Sequence, residues 1–177
     1  PHGGGHPSPR GLRPPGASPA SRRERRPLSG ICGPVRLDGA PAPYERLSPV
    51  IRVLAPYGPA GSVPLSEGPV SLGHQMFRPL PESESEVQPL RLAEPDLTLT
   101  ADARIDNRAE LAEALGLTAA EVSAWPDARY ILAAYEKWGL DCVPRLLGDF
   151  AFAIWDGRAR RLLLARDTIG VRPLYFA

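Results

Sequence analysis

Apolar and polar positions alternate along some stretches of the chain and follow a helical period along others. Alternation over Leu97–Ile105 predicts a strand with one buried face. Near the end of the chain, the apolar run 150–155, the turn at Asp156-Gly157 and the run 161–165 predict a β-hairpin. Three shorter apolar runs predict further strands at 31–37, 61–65 and 70–76.

Helical spacing predicts helices in the first third of the chain and again in its middle. The helix boundaries carry recognisable end signals. Asn107 followed by Glu110 predicts a capping box, as does Thr118 followed by Glu121. Asp127 is predicted to cap the N-terminus of a longer helix. The predicted helical segments are 44–55, 108–115 with Gly116 ending it, a short piece after Thr118, 127–138 and 141–147.

The order of the elements, strands first, then helices, then a hairpin, indicates the fold class. It favours an α+β domain of layered antiparallel sheets over a fold with parallel βαβ units. Neither a G-x-G-x-x-G sequence nor a Walker phosphate-binding loop occurs in the chain, so a nucleotide-binding fold is not predicted. The acidic stretch 81–88 is predicted to be a solvated surface loop.

The first 27 residues differ in composition from the rest. They contain seven prolines and almost no large apolar side chains, so they cannot bury enough surface to offset their ordering entropy. Six arginines against one glutamate give this segment a charge of +5. Because the whole chain carries +1, the remaining 150 residues carry −4. The basic pI of about 8.4 is therefore a property of the N-terminal segment.

We predict residues 1–28 to be a disordered Pro/Gly/Arg-rich extension, or the product of a start codon assigned upstream of a true start at Leu28. Two other readings are disfavoured. A nucleic-acid-binding arm would be expected to carry lysines and aromatic residues, and the segment has neither. A targeting peptide would need an apolar stretch or an amphipathic helix, which the many prolines disfavour.

Cysteine usage and hydropathy suggest where the protein works. Cys32 and Cys142 form no spacing pattern, and each has apolar neighbours, so both are predicted to be buried free thiols. No run of about 18 apolar residues is present, so no membrane span is predicted. We expect a protein of the reducing cytoplasm that binds neither nucleic acid nor membrane.

Four segments together resemble a known family. They are residues 29–33 (Ser-Gly-Ile-Cys-Gly), 103–111, 148–156 (Gly-Asp-Phe-Ala-Phe-Ala-Ile-Trp-Asp) and 165–175. This pattern resembles the N-terminal glutaminase domain of asparagine synthetases, a class II glutamine amidotransferase domain, and the resemblance covers residues 29–177. It implies the αββα sandwich of N-terminal-nucleophile (Ntn) hydrolases. It also implies a following ATP-dependent synthetase domain, which lies outside this sequence.

The resemblance also implies which positions would form a glutaminase site. Such a site needs an N-terminal nucleophile whose own α-amine acts as the base, a cation for the glutamine carboxylate, an oxyanion hole and a carboxylate for the glutamine ammonium. The nucleophile position falls on Ser29, where the family has Cys. A register that uses Cys32 instead loses the apolar residue expected after the glycine and places Pro34 in the strand.

The other pocket positions are mostly changed as well. The family arginine that holds the carboxylate falls on Met76, and the Asn-Gly-Glu stretch that includes the oxyanion hole falls on Asp102-Ala103-Arg104. The family's Arg-Gly-Pro-Asp loop falls on residues 57–60. Only the ammonium-binding carboxylate is retained, at Asp127, which also has a structural explanation as a helix cap.

These substitutions predict a domain that has lost its glutaminase pocket and serves a structural role. Relatives of this kind include lasso-peptide cyclases and β-lactam synthetases. The predicted partner is the synthetase domain of the same protein, which would bind ATP and Mg²⁺, whereas this domain needs no cofactor. Residues 166–175 are the predicted contact with that domain, and an ion pair between Arg166 and Asp167 is the alternative role.

Two other functions stay open from the sequence. The first is an active amidotransferase that releases ammonia from glutamine with Ser29 as its terminal nucleophile. The second is a stand-alone module that binds an amino-acid-like ligand through Asp127.

Overall fold

The computed structural model describes residues 29–56, 58, 61–77 and 86–177. The predictions for residues 1–28 and for most of the acidic stretch 81–88 therefore lie outside the described residues. The strands are β1 (Gly30–Cys32), β2 (Ser62–Glu67), β3 (Val70–Gln75), β4 (Leu90–Leu92), β5 (Leu97–Ile105), β6 (Gly148–Asp156) and β7 (Arg161–Arg166). The α-helices are α1 (Leu47–Leu54), α2 (Arg108–Leu115), α3 (Ala119–Ala124) and α4 (Asp127–Trp138), and 3₁₀ turns cover Tyr44–Arg46 and Gly139–Arg145.

The described strands form two antiparallel sheets. The first has the order β1-β3-β2, and the second has the order β4-β5-β6-β7. Helix α1 packs on β1 and β3, while α4 packs on β5 and contacts α2, and the two sheets meet where β1 and β3 contact β5. The layers are therefore helix, sheet, sheet, helix. The predicted α+β class and the αββα arrangement of the Ntn-hydrolase type are confirmed.

The main core lies between the second sheet and helices α2 and α4. Phe152, Ile154 and Leu99 on the strands pack with Tyr130 and Ile131 of α4, and each of the five is 0 % exposed. Alternate residues of β5 point into this core. The intervening residues, which include Thr100 and Asp102, face the first sheet, as the period of two requires.

The space between the two sheets is less apolar. Its small cluster consists of Val70, Leu72 and Trp155. Next to it, the ring nitrogen Nδ1 of His74 lies 3.2 Å from the hydroxyl of Thr100 and links β3 to β5. Burial lowers the pKa of His74 to about 4, so the ring is neutral at physiological pH. This places His74 among the core residues.

Several predicted boundaries differ from those observed. The strand predicted at 31–37 ends at Cys32, because Pro34 has no N–H to donate and only Val35 forms one further bridge, to Val70. The helix predicted at 44–55 is present but opens with a 3₁₀ turn. The piece predicted at 141–147 is a 3₁₀ turn that starts at Gly139 and contains Pro144. Strand β4 was not predicted from the sequence.

The capping box at Thr118 and Glu121 is confirmed, because both reciprocal hydrogen bonds are present. The one predicted at Asn107 is wrong, although Asn107 does occupy the N-cap position of α2. Its amide Nδ2 donates to the carbonyl oxygen of Arg145 over 2.9 Å, and its Oδ1 accepts from the N–H of Leu147 over 3.0 Å. The side chain therefore fixes the loop before β6 instead of capping its own helix.

Gln88 corrects the prediction that the acidic stretch is solvated along its whole length. Its side chain is buried, with 3 % of the residue exposed, and it continues the ladder of β4 along β5. Nε2 donates to the carbonyl oxygen of Ala101 over 3.0 Å, and the N–H of Ala101 donates to Oε1 over 2.7 Å. One side chain thus satisfies both backbone groups of a buried strand residue.

We expect the Gln88→Ala substitution to lower the free energy of unfolding by about 2 kcal/mol, because it leaves both backbone groups of Ala101 without a partner. Urea denaturation of the wild-type protein and the variant would measure the change. Val87→Ala is the control, since Val87 is 60 % exposed and its truncation should change the stability little. A loss for Gln88→Ala no larger than that of the control would contradict this account of Gln88.

Candidate functional site

Ser29 lies immediately before β1, and both of its polar groups are engaged. The N–H of Phe77 donates to the hydroxyl oxygen Oγ over 3.2 Å. The backbone N–H of Ser29 donates to the carboxylate of Asp102. The pairing of Gly30 with Gln75 on β3 fixes the chain just beyond. The nucleophile position of the predicted site is therefore held at the boundary between the two sheets.

Asp102 extends from the face of β5 that looks toward the first sheet. Its Oδ2 lies 3.1 Å from Nη1 of Arg172, and the two side chains are 14 % and 16 % exposed. Burial raises the pKa of Asp102 to about 6, although Arg172 and the N–H of Ser29 both oppose this rise. The Nε of Arg172 is buried and has no hydrogen-bond partner. A largely buried ion pair thus lies beside Ser29.

A cavity of about 700 Å³ opens next to this ion pair. Its polar end contains Ser29 and Asp102, and Arg46 contributes a cation to its wall. The rest of the lining is mainly apolar and comes from β1, α1 and the C-terminal segment. These apolar residues include Ile31, Leu47, Val50, Val53, Leu54 and Leu174.

Met76 follows β3 and is buried, with 4 % of the residue exposed. Its N–H donates to the carbonyl oxygen of Gly61 over 2.8 Å. Ala103 lies next to Asp102 on β5 but packs against the helix-side core, as the alternation of the strand requires. Neither residue is among the described residues that line the cavity. Of the predicted pocket positions, the cavity therefore contains only Ser29 and Asp102.

Asp127 is in a different setting. It is the first residue of α4, and the N-cap position belongs to Pro126, so the predicted capping role is wrong. Its Oδ1 accepts a hydrogen bond over 2.7 Å from Nε of Arg108, on α2. The Asp127 side chain is 14 % exposed. This carboxylate has a cationic partner and is not among the described residues that line the cavity. The amino-acid-binding module built on Asp127 stays a prediction.

The loop at the family's Arg-Gly-Pro-Asp position is described only at Gly58. A Cβ atom at Gly58 would lie 2.4 Å from the carbonyl oxygen of Gln75, and the side-chain amide of Gln75 donates to the carbonyl oxygen of Gly58. Glycine is required here by close backbone contact. The rest of the loop, residues 57 and 59–60, lies outside the described residues.

Arg172 is the residue of this site that sequence reasoning missed. It lies 70 positions after Asp102, so no local pattern pointed to the pair. Arg172 is positioned by Asp167, whose carboxylate accepts from the N–H groups of Val171 and Arg172 over 2.9 and 3.0 Å. The predicted alternative, an ion pair between Arg166 and Asp167, is therefore wrong. The one sequence signal that included Arg172 was the resemblance of residues 165–175 to the family.

The chemistry available at the cavity is limited. Ser29 offers a hydroxyl, and Cys32 offers a thiol whose pKa is raised by burial, so neither is an ionised nucleophile at neutral pH. Across the described ranges, no three His, Cys, Asp or Glu side chains are grouped so that they could hold a metal ion. Within those same ranges, every helix is too short or too polar to span a bilayer.

Sequence comparison shows what the chain is similar to. The profile of a family described as a glutamine amidotransferase domain matches residues 28–177. A Mycobacterium bovis protein with the provisional name asparagine synthetase (glutamine-hydrolyzing) is 35 % identical over 156 residues, which are 84 % of this chain and 24 % of that protein. Asparagine synthetase (glutamine-hydrolyzing) 3 of Bacillus subtilis is 30 % identical over 125 residues, which are 70 % of this chain and 20 % of that protein. The chain thus spans about a quarter of the length of these relatives or less.

Proposed function

This chain belongs to the glutamine amidotransferase domain family, and we propose that it is the amidotransferase-like domain of an asparagine-synthetase-like, amide-forming enzyme in which the glutamine pocket no longer hydrolyses glutamine. The observation that carries the proposal is the ion pair of Asp102 with Arg172 beside Ser29. The family resemblance assigns the oxyanion-hole amide to the position of Asp102, where a neutral donor would be needed.

The magnitudes support this proposal. Loss of one oxyanion donor lowers the rate of acyl transfer about 10²–10³-fold, and an ionised carboxylate at the same position repels the developing negative charge. Loss of a buried cation that pairs with the substrate carboxylate costs about 2–5 kcal/mol. Met76 is apolar and buried, so it cannot provide this cation. The two losses together leave little glutamine hydrolysis.

The proposed role of the domain is to support a synthetase domain of the same protein, which would bind ATP and Mg²⁺. The C-terminal segment is the proposed contact. Ile169, Tyr175 and Phe176 are 89 %, 89 % and 86 % exposed, although they follow one another closely along the chain. Contact with the synthetase domain would bury these exposed apolar side chains.

The competing proposal is an active amidotransferase that releases ammonia with Ser29 as nucleophile. The presence of a hydroxyl at the nucleophile position favours it, because a terminal amine can activate serine as well as cysteine. This proposal needs Ser29 at the N-terminus. It also requires that the carboxylate of Asp102 does not prevent the hydrolysis of glutamine.

A single assay separates the two proposals. Residues 23–28 are replaced by the recognition sequence of a site-specific protease that cuts immediately before Ser29, and the folded chain is cut. Glutamine is added, and ammonia is measured. We expect no release above that of the uncut protein and no difference between the cut protein and its Ser29→Ala variant. Release that requires the cut and disappears in Ser29→Ala would overturn the proposed loss of activity.

A further inference from the structure

The backbone nitrogen of Ser29, the carboxylate of Asp102 and the guanidinium of Arg172 meet at the polar end of the cavity. Once the chain is cut before Ser29, this site holds two groups that can be cationic and one anion. The carboxylate of Asp102 accepts from the backbone N–H of Ser29 and pairs with Arg172. After a cut, the same nitrogen becomes an α-amine. The pairing of Gly30 with Gln75 keeps it in place.

We propose that Asp102 is the electrostatic partner of this α-amine and holds it in the protonated form at neutral pH. The inference rests on the proposed function, because it concerns the same pocket and supplies one reason for its inactivity. In an N-terminal-nucleophile site, the unprotonated α-amine is the base that activates the hydroxyl. An amine kept as an ammonium ion by Asp102 cannot do so.

A carboxylate has two oxygens and about four acceptor positions, so Asp102 can bind the ammonium group and the guanidinium of Arg172 together. An opposite charge within hydrogen-bonding distance favours the charged form of an amine and raises its pKa. The neutral amide of asparagine at this position would not have this effect.

The other charged or titratable groups around the α-amine lower its pKa or leave it unchanged. Arg172, from the C-terminal segment, and Arg46, on the cavity wall, are cations and disfavour a further positive charge. Cys32 and Tyr175 also line the cavity but carry no carboxylate, and burial raises the pKa of the Cys32 thiol. Asp102 is therefore the one anionic side chain among the described residues that line the cavity, and it is the lining residue that raises the pKa of the α-amine.

The test measures the pKa of the α-amine directly. The chain cut before Ser29 is labelled with an amine-reactive ester across a range of pH, and the labelled N-terminal peptide is quantified by mass spectrometry. Lys137 is the single lysine of the sequence and provides an internal reference. We expect the wild-type amine to titrate above the ordinary range of about 7.7–8.0.

Two variants should move the pKa in opposite directions. Asp102→Asn should lower it by about one unit or more, which raises the labelling rate at pH 7 about tenfold. Arg172→Gln should raise the pKa, because it removes the competing cation. Asp106→Asn, which changes the net charge equally on the exposed ion pair with Arg104, is the matched control and should leave the pKa unchanged.

If Asp102 had only a structural role, the two variants would not shift the pKa of the α-amine in opposite directions. An unchanged pKa in Asp102→Asn, or shifts of the same sign in both variants, would overturn the inference. If Asp102→Asn does not fold, the measurement on Arg172→Gln tests the inference alone. A pKa of the α-amine that does not rise in this variant would then overturn the inference. Ammonia release from glutamine is measured on the same samples. Activity in the wild-type protein would contradict the proposed function, whereas the amine titration tests the role of Asp102 by itself.

Discussion

Arg172→Gln is expected to lower the free energy of unfolding by about 3 kcal/mol at pH 7.5 and by much less below pH 5. Removing one partner of a buried ion pair leaves the other charge without compensation, which typically costs 3–5 kcal/mol. Asp102 and Arg172 are 14 % and 16 % exposed, so we expect the lower end of that range. The substitution also removes a buried guanidinium nitrogen that has no hydrogen-bond partner, which offsets a part of the loss.

The pH dependence follows from the raised pKa of Asp102. In the folded protein this pKa is about 6, compared with 3.8 for the unperturbed carboxyl group. The folded state therefore binds the proton more tightly than the unfolded state does. The contribution of Asp102 to stability is fully present below about pH 4 and is lost as the pH rises through 6. Arg172 lowers the pKa of Asp102 in the folded protein. Without Arg172 this pKa rises further, so stability continues to fall at higher pH, whereas the stability at acidic pH stays nearly unchanged.

Urea denaturation at pH 4.5 and at pH 7.5 would measure both parts of this prediction. Arg104→Gln is the matched control, because Arg104 pairs with Asp106 in an exposed ion pair whose side chains are 63 % and 52 % exposed. Such a pair is worth less than about 1 kcal/mol. An equal loss of stability at the two pH values for Arg172→Gln would contradict the assignment of the effect to an ionised Asp102.

The segments with strong periodicity were predicted well, because one buried face determines both their structure and their pattern. Strand β5 was predicted with the bounds that the structure has, and helix α4 was predicted to within one residue at its start. The capping box at Thr118 was also predicted correctly, since a capping box depends only on residues three positions apart. These features are local, and a local pattern contains the information that fixes them.

The failures share the opposite cause. Asn107 and Asp127 both lie at helix starts and both have capping side chains, but each is bound by a distant partner: Asn107 by the loop at 145–147, and Asp127 by Arg108. Tertiary contacts satisfied these polar groups better than the local backbone did. Strand β4 was missed because three residues are too few to show a period.

The candidate site was predicted in part. The position of Ser29 and the presence of Asp102 beside it followed from the family resemblance. The partner Arg172 did not follow, because a pair between β5 and the C-terminal segment is a product of the fold and not of any local pattern. The same limit applies to Ala103, whose side chain packs into the helix-side core although its neighbour faces the cavity.

The two glycines of the Ser-Gly-Ile-Cys-Gly segment differ in how closely the surrounding atoms pack against them. A Cβ atom at Gly33 would lie 2.4 Å from the carbonyl oxygen of Ser71 and 2.7 Å from a methyl group of Leu72. At Gly30, the nearest atoms are 3.3 Å away and belong to the flexible side chain of Leu54. The first contact is with backbone that the pairing of β2 and β3 holds in place, so it cannot relax easily.

We therefore expect Gly33→Ala to lower the free energy of unfolding by about 3 kcal/mol, at the upper end of the range for overpacked sites. Gly30→Ala in the same segment should cost less than about 1 kcal/mol, since Leu54 can move. Thermal and urea denaturation of the two variants would measure the difference. Equal losses would mean that the close approach of Gly33 to β3 is not what requires glycine there. A large loss confined to Gly33→Ala would mean that this glycine has a role in the fold that does not depend on catalysis.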